Sequence, residues 1–279
     1  MRDRPSFTAA WVAAARSFGV HLPKEAQLAD DPYGARFART RWLVGKPLVA
    51  HALFPKRFVV YMQVRTRVID DALRAFVARS GDQIVLLGAG FDCRALRFAH
   101  ELRRATVFEV DHPATQAKKR AVLKDDVGAR VEYVAWNFEE RAMRELPKEL
   151  ARHGHDARKP TLTIWEGVTM YLSDEAIDQS LRAVRDYSAP GSEIAMTYVD
   201  RALLEKPTAR ARAAQAFVSR VGEPFRFGWN PRDLPAYLRD RGFEIVRDAS
   251  MSEWGAELLP KNMKVDDGNR RRIAIVKRA

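Results

Sequence analysis

Residues 83–98 read QIVLLGAGFDCRALRF, an apolar run that breaks into Gly88-Ala89-Gly90 and then presents Asp92, Cys93 and Arg94. Glycines at the end of a buried strand permit an unusual backbone path and let main-chain N–H groups approach a ligand. The next apolar run, VFEVDHP, ends on Asp111, where a carboxylate can accept both hydroxyl hydrogens of a ribose. A third run, VEYVAW, is followed by Asn137 and Phe138. An amide can hydrogen-bond the edge of an adenine, and an aromatic ring can pack on its face. Together the loop, the acid and the amide–aromatic pair are suited to gripping an adenosine-containing cofactor. Each also has an ordinary reading: a tight strand-to-helix turn, an N-cap for the HPATQAKKR helix, a core aromatic. Glu109 shares a strand face with Asp111 and is the lesser participant.

A dinucleotide-binding loop holds a pyrophosphate at the helix N-terminus and uses a third glycine to bring helix and strand close. Cys93 stands at that position here, and Asp92 beside it would repel a pyrophosphate. S-adenosyl-L-methionine has no phosphate. It offers a ribose diol, an adenine, a sulfonium and an ammonium group, and acidic surroundings suit its cations. S-adenosyl-L-methionine is therefore the expected cofactor, with a Rossmann-type NAD(P)-dependent oxidoreductase as the alternative. No Tyr-x-x-x-Lys pair follows the fourth strand to support that alternative. The one cysteine excludes an internal disulfide or a cysteine-cluster zinc site, and the six histidines show no ligand spacing, so no metal is expected.

The elements that would position these groups can be read from periodicity. Residues 1 to about 80 read as helices, a cap packed on the core. SFTAAWVAAARSF has Ser6 as N-cap, and FVVYMQVRTRVIDDALRAFVARSG is a long helix closed by Gly81. From residue 81 to 279 strands and helices alternate. Strands are expected at 83–88, 105–110, 131–136, 161–167, 193–199, 243–249 and 272–278, with helices at DCRALRFAHEL, PATQAKKRAVL and SDEAIDQSLRAVRDYS. Such alternation implies parallel crossovers and an α/β doubly wound sheet. The last two strands are joined by a Gly- and Pro-containing loop without a clear crossover helix, so a final antiparallel strand completes a seven-stranded sheet. Residues 200–241 read as a mostly helical, lid-like insert before the sixth strand.

The chain has 279 residues, 47% hydrophobic and 30% charged, the balance of a globular protein. Its formal charge of +12 invites a nucleic-acid reading, but the bases alternate with acids, as in LRDRGFEIVRD, and a basic balance alone constrains partners weakly. No uncharged run is long enough to span a bilayer, and the N-terminal stretch reads as an amphipathic helix interrupted by Arg16 rather than a signal peptide. A cytoplasmic location and no membrane partner are expected.

PSFTAAWVAAARS, DPYGARF, VRTRVIDDAL, VLLGAGFDCRALRF, FEVDHPATQAKKR and IWEGVTMYL follow one another between residues 5 and about 175. In this order they resemble the leucine carboxyl methyltransferase-like family of S-adenosyl-L-methionine-dependent methyltransferases. The nearest branch is the bacterial one, with mycobacterial and tetracenomycin-type polyketide O-methyltransferases. The resemblance implies a class I methyltransferase fold with a helical cap, and cofactor contacts at Arg65, Gly88, Asp111, Asn137, Phe138 and Glu166, with Gly90 completing the loop. That branch has Asp-Leu where this chain has Asn137-Phe138; asparagine keeps the hydrogen bonding and loses the charge.

A guanidinium holds a carboxylate by parallel hydrogen bonds, and the family implies that Arg65 grips either the cofactor's carboxylate or an acceptor's. Arg67, on the same helix, reads as a surface arginine. Glu166, at the fourth strand's end, would receive the cofactor's ammonium group. Tyr171 resembles the family tyrosine near the transferred methyl. Arg65 and Tyr171 are then the candidate catalytic residues, orienting an oxygen acceptor behind an already electrophilic methyl group. A carboxylate acceptor needs no base; a hydroxyl does, with Glu166, Tyr198 and Asp200 as candidates. The acceptor is expected to be a small molecule, polyketide-like by resemblance, with the insert and its Phe217, Phe225, Phe227 and Trp229 closing the pocket. A nucleic-acid-directed methyltransferase is the remaining alternative.

Overall fold

The computed structural model describes residues 6–37, 54–207, 224–265 and 270–279, together with residues 212, 215, 216 and 219. Phe217 lies outside them, as does most of the stretch from 208 to 223. Among the described residues the strands are β1 (Gln83–Leu87), β2 (Thr106–Asp111), β3 (Arg130–Ala135), β4 (Thr161–Trp165), β5 (Glu193–Val199), β6 (Phe243–Ser250) and β7 (Arg271–Arg278). They form one sheet in the order β3-β2-β1-β4-β5-β7-β6. Strands one to five pair in parallel, and β7 inserts antiparallel between β5 and β6. This is the class I methyltransferase sheet, with the single reversed strand that the sequence pattern implies.

The helices are α1 (Phe7–Ser17), α2 (Lys56–Ala78), α3 (Arg94–Arg97), α4 (Pro113–Val122), α5 (Leu146–Arg152), α6 (Asp174–Tyr187), α7 (Ala202–Glu205), α8 (Leu234–Arg239) and α9 (Met251–Leu258). Every residue of β1 and β4 is buried, as strands covered on both faces must be. The period of two sorts their side chains. Ile84 and Leu86 pack with Ile69, Leu73 and Phe76 of α2, while Val85 and Leu87 join Trp165 and the Ile177, Leu181 and Val184 stripe of α6. The N-terminal helices share a third cluster with α9 and β7, through Ala14, Phe18, Val60, Trp254 and Ile273.

Three expectations are corrected. The left-handed residue closing α2 is Ser80, at φ 65°, not Gly81. Gly81 is needed for space, because a Cβ there would meet the Phe76 ring at 2.2 Å. The helix expected over 92–102 is one turn, α3, followed by turns to residue 104. The connection between the last two strands contains α9. Ser250 accepts from the Glu253 amide there and Glu253 reaches back to the Ser250 amide, a capping box. In 200–241 the described residues hold α7, α8 and helical positions at 212, 215, 216 and 219, with an irregular stretch at 224–228.

Candidate active site

β1 is flanked by β2 on one side and β4 on the other, so the strand order reverses there and a crevice opens beyond the strand tips. Gly88 and Gly90 turn the chain at the tip of β1 with φ of 75° and 53°, a region other residues rarely adopt. The amides of Gly88 and Ala89 both donate to the Val110 carbonyl, at 2.9 and 3.1 Å. The Gly90 amide donates to Asp111 Oδ2 at 2.6 Å and the His112 amide to Oδ1 at 2.6 Å. The glycine loop is thus tied to the end of β2 through the Asp111 side chain. Asp111 is not the N-cap of α4: His112 is, its Nδ1 accepting from the Ala114 amide at 3.1 Å. Burial pushes the half-buried Asp111 carboxyl up from its usual range, against the opposing pull of the two amides.

Asn137 and Phe138 follow the tip of β3, both half-buried. Asn137 Oδ1 accepts from the Glu139 amide at 3.0 Å, which leaves its NH2 as the free donor group. Phe138 packs against the core cluster of β1, β4 and α6. Glu109 is removed from consideration, because Lys119 Nζ sits 2.6 and 2.7 Å from its two carboxylate oxygens in a pair buried between α4 and β2.

Arg65 and Glu166 meet. Arg65 is buried on α2, and its Nε lies 2.7 Å from Glu166 Oε1. Neither atom has an aligned hydrogen-bond partner, so the contact is one of charge rather than of directed bonding. Glu166 Oε2 accepts from Arg94 Nη1 at 2.8 Å. Arg94 also binds Asp70 of α2 at 2.8 Å and Asp92 of the loop. Arg97 reaches Asp70 at 2.5 Å, and Arg16 of α1 pairs with Asp31 at 2.8 Å while donating to the Phe91 carbonyl. Four arginines and four carboxylates therefore balance under the crevice. Burial alone would raise the Glu166 carboxyl; Arg65, Arg94 and Arg16 overcome it and hold it at about 2. Asp92 is lowered in the same way, by Arg94 and Arg16 against burial.

This network bears on two readings. Glu166, expected to receive the cofactor's ammonium group, already faces two guanidiniums: Arg94 is hydrogen-bonded to Oε2, and Arg65 lies against Oε1 without an aligned bond. The Asp92 charge, expected to make the loop acidic, is neutralised by Arg94. Arg94 and Arg16 are the residues the sequence reading passed over. Their signal was an arginine placed among apolar residues in FDCRALRF and AAARSF, where a solvated cation has no place. Arg67 instead pairs with Asp71 on the helix surface.

Tyr171 sits in a turn of 3-10 helix, half-buried, with its ring 5.5 Å from that of Phe225 at 61°. The amides of Arg226 and Phe227 donate to the Met170 carbonyl, so the segment after the insert is anchored to the Tyr171 turn. Beyond it, at the tip of β5, a cavity of about 470 Å³ is lined by Asp174, Asp200, Glu205, Phe227, Trp229 and Tyr237 among others. Tyr198 does not reach it as a free base: its hydroxyl donates to Asp248 at 2.7 Å, and burial pushes it well up. Asp200 Oδ1 accepts from the amide of Ala202, the first residue of α7, at 2.9 Å. Cys93 is buried with its thiol pushed up by burial, which argues against a methyl-carrier role.

A sheet of this order with a glycine turn and a strand-tip acid defines a class I methyltransferase. The leucine carboxyl methyltransferase family model matches residues 9–185, and the chain belongs to that family. It is 33% identical over 239 residues to a candidate S-adenosyl-L-methionine-dependent methyltransferase of Streptomyces coelicolor, covering 84% of this chain and 81% of that one. A relative of the same description from Frankia alni is 30% identical over 279 residues, with 96% and 94% covered. Among solved structures, a candidate methyltransferase from Thermobifida fusca superposes with a TM-score of 0.59 at 19% identity, over 99% of this chain and 96% of the other. The protein is an S-adenosyl-L-methionine-dependent methyltransferase. Among the described residues no helix is long and apolar enough to cross a membrane.

Proposed function

We propose that this chain methylates an oxygen of a small molecule, and that the oxygen belongs to a carboxylate. The observation that carries this reading is the fate of the strand-tip bases. Glu166 is held ionised at about 2 between Arg65 and Arg94, far too weak a base to take a hydroxyl proton near neutrality. Tyr198 is bound to Asp248 and stays protonated. A carboxylate acceptor arrives already anionic and asks only to be aligned and desolvated. The name of the matching family, leucine carboxyl methyltransferase, points the same way.

The residues fit the cofactor on this chain's own chemistry. Asp111 stands half-exposed at the tip of β2, and its two oxygens each accept one amide and retain lone pairs for a ribose diol. Asn137 offers its amide hydrogens, and Phe138 a ring, at the adenine end. Arg65 Nε, Glu166 Oε1 and Arg94 Nη2 are buried without aligned partners, which is the donor and acceptor set for an amino-acid zwitterion. When bound, S-adenosyl-L-methionine supplies a methyl group on a sulfonium. The chain's work is then to orient and to exclude water: Arg65 and Tyr171 align the acceptor, and the segment bearing Phe225, Phe227 and Trp229 walls the acceptor side. Residues 1–80 act as a cap and the 200–241 insert as a lid. In this reading no nucleic acid takes part.

The test is a methyl-transfer assay with labelled S-adenosyl-L-methionine over a panel of aromatic carboxylic acids, phenols and alcohols. The expected product carries a label released by mild alkali, as an ester does. A label that withstands alkali identifies an ether and overturns the carboxylate reading.

A further inference from the structure

Arg94 stands apart from the other charges of the crevice. It is 2% exposed, and its guanidinium bridges three chain segments: Nε binds Asp70 of α2 at 2.8 Å, and Nη1 binds both Asp92 of the glycine loop and Glu166 after β4. Asp70 lies five residues along α2 from Arg65, the other partner of Glu166. One cation thus joins the helix, the loop and the strand tip. The remaining terminal nitrogen, Nη2, is buried and has no partner. An unmade hydrogen bond on a buried charge is costly, and an arginine serving packing alone would not need to leave one.

We propose that Arg94 is a positioning residue for cofactor binding: it fixes the orientation and charge of Glu166, and through Glu166 the Arg65 guanidinium, at the amino-acid end of the crevice. This rests on the reading of that crevice as the cofactor site. Removing Arg94 changes the balance around Glu166, which is faced by Arg65 from α2, Arg16 from α1 and Asp92 from the loop. Burial then opposes ionisation with one cation fewer. The carboxyl moves upward, and a proton taken up there weakens its hold on Arg65. A crevice whose affinity was insensitive to Glu166 at mildly acid pH becomes sensitive.

The experiment is calorimetric titration of the full chain with S-adenosyl-L-methionine across a pH series from about neutral into the acid range. Arg94→Met is compared with wild type, Arg97→Met, Glu166→Gln and the Arg94→Met/Glu166→Gln double variant. Arg97 shares Asp70 but does not touch Glu166, so its loss reports the price of a broken buried pair alone. The wild-type profile, including any limb from Asp111, serves as the reference. Arg94→Met is expected to add an acid limb in which affinity falls by up to about tenfold per pH unit, the slope for one proton. The double variant and Arg97→Met should run parallel to wild type. Should Arg94→Met fail to fold, Arg94→Lys, which keeps the charge but reaches fewer partners, should show the same limb at lower pH. An Arg94 variant that weakens binding equally at every pH, or a limb that persists in the double variant, overturns the proposal. Wild-type protein that takes up no S-adenosyl-L-methionine would instead overturn the assignment of the crevice.

Discussion

The two sides of the crevice are built differently. On the side proposed to hold the cofactor, α1, α2, the glycine loop and the tip of β4 are joined by buried charges, with Arg65 and Glu166 only 6% and 9% exposed at their side chains. On the side proposed for the acceptor, the tip of β5 and residues 224–237 are held by backbone bonds and by aromatic edges. Phe227 and Trp229 meet at 88°, and Trp229 and Tyr237 at 66°. Charge networks tolerate little change, since removing one partner strands the other in low dielectric. Ring contacts and backbone ties allow side chains to be exchanged at smaller cost. The family match ends at residue 185, so β5 and residues 224–237 lie beyond it while Tyr171 lies within it.

The strongest way to break this comparison is to remove Arg65. Arg65→Met leaves Glu166 short of one of its two guanidiniums in a buried cluster, a change of about 3–5 kcal/mol where buried pairs are broken. We expect S-adenosyl-L-methionine affinity to fall by more than about a hundredfold, with a lower melting temperature. Glu166 supplies the sign of the pH effect. Its carboxyl, held at about 2 against an ordinary 4.5, contributes stability that is complete above about 4.5 and lost as pH falls towards 2. In Arg65→Met that window should narrow: the loss still sets in near the ordinary value, but it ends at higher pH and is smaller, as thermal melts across an acid series would show. A variant that binds and melts like wild type would mean the network is not what holds the cofactor half.

Next in size is Asp111→Ala. It leaves the Gly90 and His112 amides without their acceptor and takes away the proposed ribose partner. About 1–3 kcal/mol of cofactor binding should go with it, roughly five- to 150-fold in the dissociation constant, while the acceptor's KM at saturating cofactor stays put. Unchanged cofactor affinity would remove Asp111 from the site.

Asp200→Asn probes the other side. The asparagine side-chain oxygen can still accept from the Ala202 amide, so α7 should survive the change. If the acceptor is a carboxylate, kcat should stay within about tenfold of wild type and cofactor affinity should not move, because no proton has to be taken. A loss of about a hundredfold or more in kcat alone, the scale of a lost general base, would make Asp200 that base and the acceptor a hydroxyl.

The sheet was legible because most of its strands are apolar runs closed by Gly or a charge, and every observed strand begins and ends within two residues of its expected place. The glycine turn, Asp111, Asn137 and Phe138 were legible as strand-tip residues, since a doubly wound sheet puts its tips along one edge. What the sequence did not display was pairing across the fold. Arg94 and Glu166 are 72 residues apart, and nothing local in either segment announces the other. The same holds for Arg16 and Asp31, which only the return of the chain after α1 brings together. The α9 helix was a different kind of miss. Its Ser250-x-x-Glu253 cap was in plain view, but the Gly and Pro residues around it outweighed that signal. Gly81 shows a residue correctly singled out for the wrong reason, since it is a missing Cβ and not a left-handed turn that the position requires.

The smallest expected effect is also the sharpest control. Arg67 lies two residues from Arg65 on α2, which turns it to the helix surface. There it pairs with Asp71 at 2.8 Å, both side chains well exposed at 38% and 43%. An exposed pair one turn apart is worth about 0.3–0.5 kcal/mol and is screened by salt. Arg67→Ala should therefore shift the melting temperature marginally and leave S-adenosyl-L-methionine affinity within about twofold of wild type at moderate ionic strength. The two arginines carry the same charge on the same helix, so they differ only in burial and partner. If Arg67→Ala weakened the cofactor as Arg65→Met does, the effect would belong to the helix as a whole and not to the contact between Arg65 and Glu166. If only Arg65 matters, the grip is local, and it belongs to the guanidinium that Glu166 holds.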